Sequence, residues 1–126
     1  MNDKKKLATL ANQKYISLET YKRDGTPVLT PVWFVEQGGE IYVYSLANAG
    51  KVKRIRHTSA VRFAPCTARG AVKGAWIPGA ARIVDPVEAE RAHKLLDQKY
   101  GLLKKIGNAF SGLRNRERAV INIRPA

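Results

Sequence analysis

Two turns, Asp24-Gly25 and Gly38-Gly39, cut the residues between Tyr15 and Leu46 into three short runs, and nothing else in the chain limits its fold as tightly. Asp and Gly tolerate the positive φ that a tight hairpin turn requires. The first run, "YISLETY", alternates: Ile16, Leu18 and Thr20 fall on one side, and Tyr15, Ser17, Glu19 and Tyr21 on the other. That is the period of a strand. "VLTPVWFVE" follows the first turn, and "QGG", residues 37 to 39, returns the chain as "EIYVYSL", residues 40 to 46. Three antiparallel strands in meander order are the simplest account.

Beyond them, "AVRFAPC" (60 to 66) reads as a fourth strand, and "AVINIRP" (119 to 125) as the closing one. "GAVKGAWIPGAARIV" (70 to 84) reads as a long fifth strand or two strands meeting at a bend. Gly74, Pro78 and Gly79 suit the corners and bulges where a sheet curls. The spacing of Leu7, Leu10 and Ala11 predicts a short leading helix over residues 4 to 12, and Val52 with Ile55 another in the basic segment. A longer helix is predicted from Pro86 to Tyr100, with Asp85 as N-cap and Gly101 after its end. Val87, Arg91 and Leu95, with Ala92 and Leu96, give its inward face. A weaker amphipathic stretch, "LLKKIGNAFSGL", follows. About six strands and two or three helices make a mainly β, antiparallel barrel-like domain over residues 1 to 126.

The 126 residues are enough for one hydrophobic core, and 44% apolar with 26% charged residues is a globular composition. No apolar run approaches the ~20 residues of a membrane span. "MNDKKKLATLAN" lacks the apolar region of a secretory signal, so the cytoplasm is the expected compartment. The single cysteine, Cys66, has no internal disulfide partner and reads as a small buried hydrophobe at a strand end.

The formal charge is +13. Such a surface attracts polyanions or phosphorylated ligands, though a basic surface can also be merely solvated. His57 and His93 are isolated from other metal-ligating residues, and no P-loop, dinucleotide or nucleophile-elbow pattern occurs. If the chain is an enzyme, a bound cofactor does the chemistry, and no side chain stands out as catalytic. Lys51, Lys53, Arg54 and Arg56 crowd six positions. Lys51 and Arg54 are three apart and share one side of a first helical turn, where the helix dipole favours an anion. Ser45 ends the preceding strand, Asn48 is placed to cap the helix, and Gly50 lets the backbone approach a ligand. Pro31 should lie at a sheet edge or a bulge, leaving the backbone groups of Thr30 and Val32 free to face a flat heteroaromatic ring. Trp33 could flank that ring or fill the core.

"YKRDGTPVLTPVWF", "IYVYSLANAGKVKRIRHTSAVRFAPCTARG" and "GAARIVD" together resemble the split β-barrel flavin/deazaflavin oxidoreductases related to pyridoxamine 5′-phosphate oxidase, in particular short F420-dependent members. The similarity runs from about Tyr15 to Pro125. It implies a six-stranded antiparallel split β-barrel, a homodimer, and two cofactors in grooves between the subunits. By the same resemblance Lys51 and Arg54 would meet the cofactor phosphate, with Ser45, Gly50 and Lys53 nearby. Thr30, Pro31, Val32 and Trp33 would lie along the ring, and Trp76 and Arg82 would close the site of the partner subunit. The chain departs from the vitamin B6 oxidases in having Gly50 where they place an arginine, and in having no match to their C-terminal substrate-binding segment.

The implied activity is hydride transfer between coenzyme F420 and a small unsaturated substrate. FMN is the alternative cofactor. Lys104, Lys105, Arg114, Arg116 and Arg118 favour F420, whose tail carries a phosphodiester and glutamates. A binding module for single-stranded nucleic acid is the reading from another class. The densest cationic cluster, residues 51 to 56, contains no aromatic residue, which counts against it.

Overall fold

A computed structural model describes residues 7–46, 49–106 and 118–126, the side chains of 101–106 and 118 excepted. Its strands are β1 (Tyr15–Tyr21), β2 (Pro27–Val32), β3 (Phe34–Gln37), β4 (Glu40–Leu46), β5 (Ala60–Cys66), β6 (Ile77–Ile83) and β7 (Arg118–Pro125). Helix α1 (Gly50–His57) lies between β4 and β5, and α2 (Pro86–Ile106) between β6 and β7. All seven strands form one antiparallel sheet in the order β2-β1-β5-β6-β7-β4-β3.

The two outermost strands of this order, β2 and β3, are consecutive in the chain and separated by Trp33 alone. A sheet whose opposite edges are joined by one residue must curl until those edges meet. The expected six strands become seven because the run "VLTPVWFVE" bends at Trp33 and changes pairing partner, from β1 to β4. Such a corner is how one strand serves two parts of a curled sheet.

Both predicted turns form, though at the first only Gly25 takes a positive φ (89°) and Asp24 does not. Lys22 N–H donates to the Thr26 carbonyl at 2.9 Å, and the Asp24 carboxylate accepts from Thr26 N–H at 2.9 Å. Gly38 and Gly39, both at positive φ (61° and 84°), are the two-residue loop between Gln37 and Glu40. Residues 70 to 76 do not extend β6; they form a loop with one isolated bridge, Val72 to Cys66. Pro78 and Gly79 lie within β6 and not at a bend. At Gly79 the reason is space: a Cβ there would stand 2.9 Å from both the Arg124 carbonyl and Ile123 Cγ2.

The inner face carries Ile16 and Leu18 of β1, Phe63 of β5, Ile41 and Val43 of β4, and Ile121 and Ile123 of β7, all essentially inaccessible to solvent. Helix α1 lies against β1 and β6 and adds Val52 and Ile55 to this core. Leu7 and Leu10 of the N-terminal turn join it, while Ala11 is exposed. Helix α2 covers the other side at β3 and β7 through Ala92, Leu96 and Tyr100. Its N-cap is Asp85, whose carboxylate accepts from Glu88 N–H at 2.8 Å. The expected stop at Gly101 is passed, because the helix runs on to Ile106. Val87, assigned to the inward face, is 75% exposed, and Arg91 is exposed too; the buried stripe is set by Ala92, Leu96 and Tyr100. Among the described residues no helix is long and apolar enough to cross a membrane.

Replacing Gly79 with alanine should lower stability by about 1–3 kcal/mol, the usual cost of overpacking. Equilibrium denaturation measures it, and an unchanged midpoint would show that the β6–β7 contact has room to give.

Candidate cofactor-binding site

Helix α1 begins directly after Ala49, which takes the N-cap position without a capping side chain. Asn48, expected to cap it, lies outside the described residues. No acidic residue stands in the first turn, so the positive end of the helix is not neutralised there. Arg54 folds back over this turn: a Cβ on Gly50 would lie 2.7 Å from its Nη1, so glycine leaves the guanidinium its place. Arg54 Nε donates to Thr20 Oγ1 of β1 at 2.7 Å, which fixes the direction of the guanidinium. Lys51 is half-buried beside it. Burial, and secondarily the Arg54 charge, lowers the Lys51 pKa.

No carboxylate among the described residues is paired with Lys51 or Arg54. The two side chains therefore form a partly desolvated cationic pair, an arrangement that an anion stabilises by meeting both. Lys53 and Arg56 are exposed. His57, at the end of the helix, is bonded through Nε2 to Arg23 of the β1–β2 turn at 2.7 Å. Ser45 is buried at the end of β4 and donates to the Leu46 carbonyl at 3.2 Å.

Strand β2 is an edge strand, as Pro31 requires. The register differs in detail from the expectation. Since Lys22 N–H bonds Thr26, alternation along the antiparallel pair directs the backbone groups of Thr30 and Val32 toward β1. The groups left facing outward belong to Leu29, Pro31 and Trp33, and Pro31 costs no ladder bond because its missing N–H falls at an outward position. The Val32 side chain is in the core, and Thr30 is half-buried opposite Leu18. Pro31 is exposed and faces the turn at Gly70, where a Cβ would stand 3.8 Å from the proline ring.

The remaining expected residues are dispersed. Trp33 stacks on Tyr100 of α2, with centroids 4.7 Å apart and planes 9° apart. Trp76 lies under the Arg62 guanidinium, 5.0 Å from ring centroid to Cζ. Arg62 is itself held by Glu19, at 2.8 and 2.9 Å. Arg82 is bound by Glu88 at 2.8 and 3.0 Å, so its charge is met within the chain. Thr20, Glu19 and Tyr100 were not singled out from the sequence. The alternation of β1 does put Thr20 on the inward side with Ile16 and Leu18, a polar exception that marks it. Glu19 and Tyr100 carry no such mark. The expected cations beyond residue 101 lie outside the described side chains.

Glu19 is 4% exposed on β1, and the Arg62 guanidinium holds its pKa below 4.5. Tyr21 also donates to it. A depressed carboxylate stabilises the fold above its unfolded pKa and ceases to do so as pH falls through the folded value. Glu19→Gln should therefore lower the thermal midpoint at pH 7 and approach wild type as the pH drops below 4.5. Parallel melting curves at pH 7 and in acid would refute this if the gap did not close.

The pyridoxamine 5′-phosphate oxidase family profile matches residues 3–126. No curated protein matches the chain. Similar solved structures include a candidate pyridoxamine 5′-phosphate oxidase from Listeria innocua, 21% identical over 98% of this chain and 92% of that one, with a TM-score of 0.70. A structure described as an F420 reductase is 19% identical over 95% and 92% of the two chains, TM-score 0.62. The haem storage protein HutZ of Vibrio cholerae is 15% identical over 100% and 92%, TM-score 0.69. At these identities the structures share the fold.

Proposed function

The chain belongs to the pyridoxamine 5′-phosphate oxidase family, and from that premise we propose that it is an oxidoreductase that binds coenzyme F420 at the start of α1 and works on a small unsaturated substrate. The observation that carries the reading is the Lys51–Arg54 pair: two cations at a helix start, half-withdrawn from water, without a carboxylate partner among the described residues. The donor set suits a phosphate group, which accepts charge-assisted bonds from both.

In this reading Arg54, aimed by Thr20, and Lys51 hold the phosphate end. The outward edge of β2, at Pro31 and Trp33, receives the ring. The cofactor, when bound, supplies the hydride. The protein supplies orientation and a shielded face, and no side chain is assigned a proton transfer. The cations between residues 104 and 118, and the F420 reductase among the similar structures, favour F420 over FMN. A homodimer whose second copy closes the groove belongs to the same reading. Leu29, 48% exposed on the edge strand, is apolar surface such a copy would cover.

Titration with F420, FMN and haem in parallel tests the proposal. We expect saturable F420 binding, weakened by roughly 2–5 kcal/mol when Lys51 and Arg54 are both replaced by alanine, since a charge-assisted bond contributes ~1.5–3 kcal/mol. Equal affinity in the double variant would remove the phosphate site. Binding of FMN alone would move the chemistry to flavin, and binding of haem alone would overturn the reading.

A further inference from the structure

We infer that Tyr100 is the positioning residue of the ring-binding edge: its hydroxyl clamps the corner at Trp33, and its ring fixes the Trp33 indole. The inference rests on the cofactor reading above and adds to it a residue far from α1 in sequence.

At the corner the strand leaves β1 after Val32 and joins β4 from Phe34. The two-residue turn at Gly38-Gly39 makes Gln37 and Glu40 a bonded pair, so the backbone groups of Phe34, three positions back, point away from β4. They sit on a buried residue and need partners. The Tyr100 hydroxyl accepts from Phe34 N–H at 2.9 Å and lies 2.7 Å from the Phe34 carbonyl and 2.8 Å from that of Lys14. One hydroxyl hydrogen serves one carbonyl at a time. Lys99 completes the set, with Nζ donating to the Phe34 carbonyl at 2.9 Å while the Tyr100 hydrogen turns to Lys14. Two neighbouring side chains of α2 thus tie together the entry to β1, the start of β3 and the helix.

Tyr100 is 4% exposed, and burial holds its hydroxyl protonated, with the pKa pushed up to about 12. The near-parallel stack leaves the indole little freedom to swing. Ala92 and Leu96 dock α2 through apolar contact alone. The polar clamp at Tyr100 therefore does something they do not: it sets the angle of the corner.

The test compares Tyr100→Phe, which keeps the stack and removes the hydroxyl, with Leu96→Ala, which removes apolar packing of α2 and keeps the hydroxyl bonds. Hydrogen exchange at Phe34 and F420 titration are read on both, beside wild type. We expect Tyr100→Phe to speed exchange at Phe34 at least tenfold and to weaken F420 at least tenfold, and Leu96→Ala to leave F420 affinity within about twofold. If Tyr100→Phe speeds exchange but binds F420 like wild type, or if both variants lose affinity equally, the positioning role falls while the cofactor reading stands. If wild type itself binds neither F420 nor FMN, the cofactor reading falls and takes the inference with it. Should Tyr100→Phe not fold, Lys99→Met, which removes the other α2 bond to the Phe34 carbonyl and keeps the stack, carries the same comparison.

Discussion

The bend at Trp33 joins what would otherwise be the two free edges of a seven-stranded sheet. With one residue between β2 and β3, the sheet has to close on itself, and closure creates the interior that Ile16, Phe63, Ile121 and their neighbours fill. The bend also takes Phe34 out of one ladder direction before another is available, and the backbone groups stranded there are met by side chains from a helix more than sixty residues away. Curling, core formation and the placement of α2 are consequences of one strand changing partners.

Closure leaves an end to be plugged, and α1 plugs it with Val52 and Ile55. Because its apolar side must point inward, the helix presents Lys51 and Arg54 at the rim, where burial is partial and solvent screening incomplete. Among the described residues three arginines are matched by carboxylates: Arg62 by Glu19, Arg82 by Glu88, Arg124 by Glu40. The chain's large positive charge is therefore less telling than its distribution. Three arginines of the sheet are neutralised by carboxylates, whereas among the described residues no carboxylate meets the pair at the start of α1.

Much of this was legible along the chain. The turns at Asp24-Gly25 and Gly38-Gly39, strand β1 and the Asp85 cap are local, since each rests on residues within a few positions of one another, and all four form, although both sides of β1 are buried. The Lys51–Arg54 spacing is local too, as one helical turn brings the two together. The errors lie where distant segments decide. Val87 belongs to an inward face by periodicity, yet it precedes the point where α2 meets the sheet and stays in water. Gly101 would end an isolated helix but does not end this one. The free groups of β2 are those of Leu29, Pro31 and Trp33 because register with β1, a tertiary property, sets the alternation.

Period, turn chemistry and capping, which act over a few bonds, marked in advance most of the strands, the start of α2 and the cationic helix start. Only the folded arrangement brought Thr20 to Arg54, Tyr100 to Trp33 and Glu19 to Arg62. Those contacts join residues separated by strand crossings or by the whole of α2's packing face, and they follow from sheet curvature and helix docking, for which a linear pattern holds no distance.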